Sequence, residues 1–106
     1  MITYEDFSQL DIRIGTIVSV EKVPEADKLL KLIVDIGEEK RQLMAGIAEF
    51  VEDIDSLVGK QIPILANLAY RKMRGYESQG MMLAADDGGP ILLHPEKKVK
   101  DGSVVR

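Results

Sequence analysis

The sequence predicts an all-β fold: a five-stranded Greek-key barrel with a short helix between strands 3 and 4 and extra N- and C-terminal segments. Three observations carry that expectation. Apolar residues alternate at period two over two long stretches, Asp11 to Glu21 and Lys28 to Ile36. Clusters of Gly, Pro, Asp and Glu separate these stretches from shorter apolar runs downstream. Between the third and fourth runs, Ile47, Phe50, Val51 and Ile54 are instead spaced three or four apart, as a helical turn requires.

Taken in order, Thr3 is placed to cap a short helical turn reaching Gln9, with Glu5 and Asp6 at its positive end. Phe7 and Leu10 are expected to pin that turn to the body. In the first strand Ile12, Ile14, Thr16, Val18 and Val20 share one face, with Arg13, Gly15, Ile17, Ser19 and Glu21 on the other. Gly15 marks a bend or bulge. Pro24 to Asp27 reads as a loop. The second strand places Leu30, Leu32, Val34 and Ile36 on one face and Leu29, Lys31, Ile33 and Asp35 on the opposite one. Gly37 to Lys40 has hairpin-turn chemistry, so Arg41 to Gly46 returns antiparallel as a third strand. After the helical insertion, which Gly59 ends, Gln61 to Asn67 forms the fourth strand; Pro63 is tolerated where its missing N–H faces no partner. Ser78 to Ala85 forms the fifth, and Asp86 to Pro90 breaks it. Ile91 to Leu93 can add a short strand, and Val104 and Val105 close the chain as an apolar pair. This is the element order of an OB-fold. One domain is expected over residues 1–106, the barrel occupying about 11–90 and an extension 91–106.

Composition narrows the function classes. The chain has 106 residues, 45% of them hydrophobic, with two Phe, three Tyr and no Trp, so its core must be aliphatic. It has no cysteine, which removes disulfide scaffolds, thiolate nucleophiles and Cys-based zinc sites. No apolar run approaches the roughly 18 residues of a membrane helix, and the start lacks a signal-peptide profile; a cytoplasmic address is expected. A formal net charge of -4 argues against coating nucleic acid by charge alone. Any such site must be local.

Such a locality exists between Tyr70 and Gly75, where Arg71, Lys72 and Arg74 stand without an acidic residue. A positive island on an acidic body draws an anion to one place. Arg grips phosphate through two N–H groups and Lys serves as a mobile charge; in this fold the loop joining strands 4 and 5 flanks the oligonucleotide face. Lys28 and Lys31 on the second strand either extend the same surface or serve only as solubilising lysines. With only Tyr70 and Tyr76 nearby, base stacking is sparse, which favours backbone and shape recognition of a folded RNA over coating of single strands. Asn67, Ser78 and Gln79 offer neutral hydrogen bonds. Met81 is either core or a soft apolar contact, and its position in the strand favours core. Catalysis finds no footing. His94 is the only histidine and lacks convergent partners, the paired acids lie in turns, and nucleophile-elbow, phosphate-loop and metal-ligand patterns are missing. No enzyme activity, metal or cofactor is expected.

The run LANLAYRKMRGYESQGMMLAADDG, with DIRIGTIVSVEKVPEADKLLKLIVDIGEEKRQLMAGI upstream, resembles the EMAP II-like tRNA-binding domain. DIRIG, ADKLLKL, AGI and GxxSQGM occur in that family's order and spacing, from Phe7 to the last residue. The resemblance implies an OB-fold with added terminal structure that binds tRNA by shape. Its relatives are the C-terminal part or beta subunit of methionyl-tRNA synthetase and free-standing homodimers, so tRNA, a second copy and the synthetase's catalytic chain are the implied partners. Carried over by motif, Asn67, Arg71, Lys72, Arg74, Ser78 and Met81 line the tRNA face, with Lys28 and Lys31 beside them. One departure is Ala69-Tyr70, where the family often carries Lys-Pro. A related branch, the CsaA-type secretion chaperones, shares the barrel and dimer but usually lacks SQGM, and a peptide-binding role of that kind is the alternative.

Overall fold

The computed structural model describes residues 1–106. A single helix α1 (Tyr4–Ser8) precedes β1 (Ile12–Val23), β2 (Ala26–Asp35), β3 (Lys40–Ala45), β4 (Gln61–Leu65), β5 (Arg71–Met73), β6 (Tyr76–Ser78), β7 (Met81–Met82), β8 (Ala84–Asp86) and β9 (Pro90–Leu92). The main antiparallel sheet runs β3-β2-β1-β4-β7, and two small hairpins, β5-β6 and β8-β9, stand beside it. The sheet curls on itself. Gln79 N–H donates to the Gln42 carbonyl at 2.7 Å and Met44 N–H donates to Ser78 Oγ at 3.0 Å, so the segment leading into β7 lies along β3 and closes the barrel.

Thr3 caps α1 as anticipated: its hydroxyl accepts from Asp6 N–H while the Asp6 carboxylate accepts from Thr3 N–H. Phe7 is half-buried, but Leu10 is exposed and does not pin the helix.

β1 does not keep one apolar face. Ile12 and Ile14 are buried, the next core side chain is Ile17, and Val18 is exposed. Two features shift the phase. A side chain at Gly15 would meet Val34 Cγ1 at 2.5 Å and the Asp35 carbonyl at 2.9 Å, so β1 and the end of β2 cross too closely for anything but glycine. The pairing then steps from Ile17↔Val34 to Ser19↔Ile33, a bulge that leaves Val18 out of the ladder. The bend lets one strand serve two partners: residues 12–16 pair with β4, and residues 16–23 pair with β2.

β2 follows its alternation. Leu30, Leu32 and Val34 are fully enclosed, and with Ile17, Ile36, Leu43, Ala45, Ile47, Leu57, Ile62 and Ile64 they form the aliphatic core. The Pro24–Asp27 loop shrinks to a two-residue turn, because Val23 already pairs with Ala26 and Glu25 takes a left-handed φ of 63°. The helix between the third and fourth strands is two 3₁₀ turns, Ala48–Phe50 and Ile54–Leu57. Ile47 and Leu57 anchor them in the core; Phe50 stays exposed. The fifth strand is shorter than its apolar run suggests: only Met81 and Met82 pair with β4, and Ala84–Asp86 turns away to pair with β9.

Residues beyond β9 are bound to the barrel by buried polar groups. Gln61 holds Val99 at both ends of its carboxamide, donating to the carbonyl at 2.8 Å and accepting from the N–H at 3.0 Å. The His94 ring donates from Nδ1 to the Gln61 carbonyl at 2.7 Å, which commits it to structure. Residues 102–105 then pair along the free edge of β1: Gly102 and Val105 N–H groups donate to the Ile14 and Ile12 carbonyls. Arg13 reinforces this seam by donating to the Gly102 carbonyl at 3.4 Å, and its hydrogen bond and charge pairing with Asp11 at 2.7 Å raise the guanidinium pKa further. No helix is long and apolar enough to cross a membrane.

Candidate nucleic-acid interface

The basic stretch, expected as a loop, is a β-hairpin. Arg71 pairs with Ser78, Lys72 with Glu77 and Met73 with Tyr76, around a turn in which Arg74 and Gly75 take φ values of 53° and 85°. Consecutive left-handed residues define the tight turn that matches strand twist. Short strands on both sides fix the spacing of the three cations, which a flexible loop would not. Arg71, Lys72 and Arg74 are all exposed, and none forms an ion pair. Lys72 faces Glu77 across the hairpin without reaching it.

A two-stranded ribbon is marginal alone, and side chains from elsewhere hold this one. Ser78, expected as a ligand contact, is buried: its hydroxyl accepts from Met44 N–H and donates to the Gly80 carbonyl, both at 3.0 Å. It therefore fixes the hairpin to β3 from within, 4% exposed. Gln42 donates from Nε2 to the Glu77 carbonyl at 2.9 Å, and its N–H donates to Gln79 Oε1 at 3.0 Å. Gly80 has φ 142°, and a Cβ there would sit 2.9 Å from the Leu65 carbonyl, so a side chain would push β7, which follows the ribbon, off β4.

Arg41, not anticipated as part of the site, is its main brace. One amino group donates to the Ala66 and Gln79 carbonyls at 2.9 and 2.8 Å, its Nε pairs with Glu39 at 2.8 Å, and its guanidinium lies 5.8 Å from the Tyr70 ring centre. Tyr70 thus supplies a cation–π contact to a half-buried cation. Nothing in local spacing signals this role, because the carbonyls lie 25 and 38 positions away.

The remaining predicted residues divide. Lys28 is exposed and lines, with its neighbours Glu25 and Asp27, a groove of about 570 Å³ whose other lining residues include Arg71, Lys72 and Arg74. Lys31 is half-buried, 3.5 Å from Glu21 and 5.6 Å from the Tyr76 ring centre, so much of its charge is already answered. Asn67 is exposed, but its carboxamide clasps Asp11 N–H at 2.9 Å and the Gln9 carbonyl at 2.7 Å. It retains one donor and one lone pair for a ligand. Met81, favoured as core from its position, is instead 45% exposed beside the hairpin.

A pinned ribbon of three free cations on a curled antiparallel barrel has clear relatives. Residues 12–104 match the family described as "Putative tRNA binding domain". The chain belongs to that family. Over 109 residues it is 54% identical to a methionine–tRNA ligase of Methanosarcina mazei, a match that covers 100% of this chain and 15% of the ligase. It therefore spans a small part of the curated relatives it matches. Among solved structures, a methionyl-tRNA-synthetase-related protein of Pyrococcus horikoshii superposes with a TM-score of 0.92 at 32% identity, covering 100% of this chain and 98% of that one. The CsaA chaperone protein of Picrophilus torridus superposes with a TM-score of 0.90 at 32% identity, each chain fully covered.

Proposed function

We propose that this domain binds folded tRNA through the β5-β6 hairpin, reading backbone and shape, and that it assists a methionyl-tRNA synthetase. The observation that carries this reading is the set of unpaired, exposed Arg71, Lys72 and Arg74 on a ribbon locked from below by Ser78, Gln42 and Arg41. Preorganised cations lose little freedom when phosphates arrive. Arg74 at the tip, Arg71 and Lys72 on the strand behind it and Lys28 across the groove meet the phosphates, while Asn67 and Met81 border them. Ser78 acts one layer beneath. The domain catalyses nothing in this reading; as part or partner of a cytoplasmic synthetase it raises the local tRNA concentration at the catalytic body.

A homodimer belongs to the same proposal. Leu10, Val104 and Val105 are exposed apolar residues near the seam where residues 102–105 pair with β1, remote in sequence from the hairpin. Two copies joined there would carry two hairpins, and sedimentation showing a monomer at micromolar concentration would remove this part.

The direct test is a filter-binding comparison of folded tRNA, the same RNA heat-unfolded, and a single strand of equal length. Folded tRNA is expected to bind most tightly; equal affinity for all three defeats shape recognition. The likeness to a CsaA chaperone and the exposed Met81 beside the hairpin support a second reading, capture of an apolar peptide. That binding would respond little to salt, whereas phosphate contacts release counterions and weaken steeply.

A further inference from the structure

Between the hairpin and β8-β9 lies a groove of about 470 Å³, lined by Met44, Met73, Met81, Met82 and Pro90, with Asp86 at its rim. Resting on the tRNA reading above, we infer that this groove receives one unpaired guanine of the bound RNA, its N–H edge turned to Asp86.

Three observations converge on that occupant. The groove is continuous with the cationic one. Met73 lines both, and a small hollow between them is shared by Arg71, Met73 and Met81. A nucleotide seated across this boundary has its phosphate among Arg71, Lys72 and Arg74 and its base over the methionines.

The lining suits a flat π system. Four of the chain's five methionines meet here, and polarisable thioethers make favourable contacts with aromatic faces. The two tyrosines nearby are engaged with Arg41 and Lys31. Sulfur takes the role that aromatic rings fill in other single-strand sites.

The polarity runs in the right direction. Asp86 is exposed and pairs with no cation. A carboxylate only accepts hydrogen bonds, so it repels phosphate toward the hairpin and welcomes N–H groups. Guanine alone presents two adjacent N–H donors on its pairing edge, matching the two carboxylate oxygens. An apolar peptide would use the methionines but neither the cations nor the carboxylate, and a cationic peptide drawn to Asp86 would be repelled by the hairpin.

The test labels the methionine methyls with carbon-13 and follows their resonances as folded tRNA is added, with filter binding on the same samples. Ring-current shifts of Met73, Met81 and Met82 are expected. Bound tRNA that leaves these methyls unmoved overturns the base site but spares the hairpin reading; no binding overturns both. The single-stranded tetramers UGUU, UIUU and UAUU, with inosine lacking the second N–H donor, then identify the base. About fivefold preference for guanine over inosine is expected, the low end for a two-bond contact. Asp86→Asn should abolish that preference. Equal binding of the three tetramers overturns the guanine assignment, as does Asp86→Asn tightening guanine and inosine alike, the mark of a carboxylate that merely repels RNA. Shifts produced by an apolar peptide and not by tRNA assign the groove to peptide and overturn the inference.

Discussion

Arg74 occupies a backbone position that its side chain does not favour, and replacing it should move stability and affinity in opposite directions. Its φ of 53° lies in the left-handed region, where an L residue with a long side chain costs about 1–2 kcal/mol and where Asn is far better tolerated. The guanidinium has no ion pair to offset that cost. Arg74→Asn should therefore stabilise the domain by about 1 kcal/mol, a rise of roughly 4–8 °C in Tm for a chain of this size. The same change removes one phosphate contact. Each contact contributes about 0.7–0.9 to the slope of log K against log salt, equivalent to roughly four- to sixfold in affinity at 0.15 M relative to 1 M. Thermal unfolding and filter binding at several salt concentrations measure both quantities on one protein. A lower Tm would show that the turn needs Arg74; unchanged affinity and slope would show that its charge never meets phosphate.

Three further outcomes follow from the same geometry. With Arg71, Lys72, Arg74 and Lys28 each meeting one phosphate, the wild-type slope should lie near -2.8 to -3.6, an affinity loss of about 50- to 150-fold between 50 and 200 mM salt; a slope near zero would point to peptide binding. Arg41→Ala leaves the Ala66 and Gln79 carbonyls without their charged donor and should cost about 2 kcal/mol in urea unfolding, with Arg41→Lys recovering only part because it lacks the planar fork. Gln61→Ala should release the segment around Val99, so that trypsin cuts after Lys97, Lys98 or Lys100 about tenfold faster while Tm changes less than for Arg41→Ala.

The parts legible in the sequence were those that depend on short-range pattern. The alternation of β2 survives intact because both its neighbours are long paired strands, and Leu30, Leu32 and Val34 are enclosed as it requires. The Thr3 cap is legible for the same reason, since it closes over three positions. β1 departs from simple alternation because a bulge and a close crossing at Gly15, both consequences of distant strands, shift its phase. The cations of the site were plain in the sequence, but the structure that holds them was not. Ser78 looked like a ligand contact since its hydroxyl is polar and sits in a specific motif; its partner Met44 is 34 positions away. Arg41 gave no sign at all, for its partners are brought to it only when β3 meets the segment leading into β7.

On the function proposed above, tRNA is held at the β5-β6 hairpin and not by basic surface in general. Two variants that remove the same charge separate these cases: Arg71, Lys72 and Arg74 changed together to alanine, and Lys60, Lys97 and Lys98, which line a separate polar hollow beside His94, changed together to alanine. Filter binding of folded tRNA at 0.15 M salt should show the hairpin variant weakened about 50- to 170-fold by the loss of three phosphate contacts, with the second variant near wild type. Equal weakening of the two, or a greater loss from the lysine variant, would contradict the account.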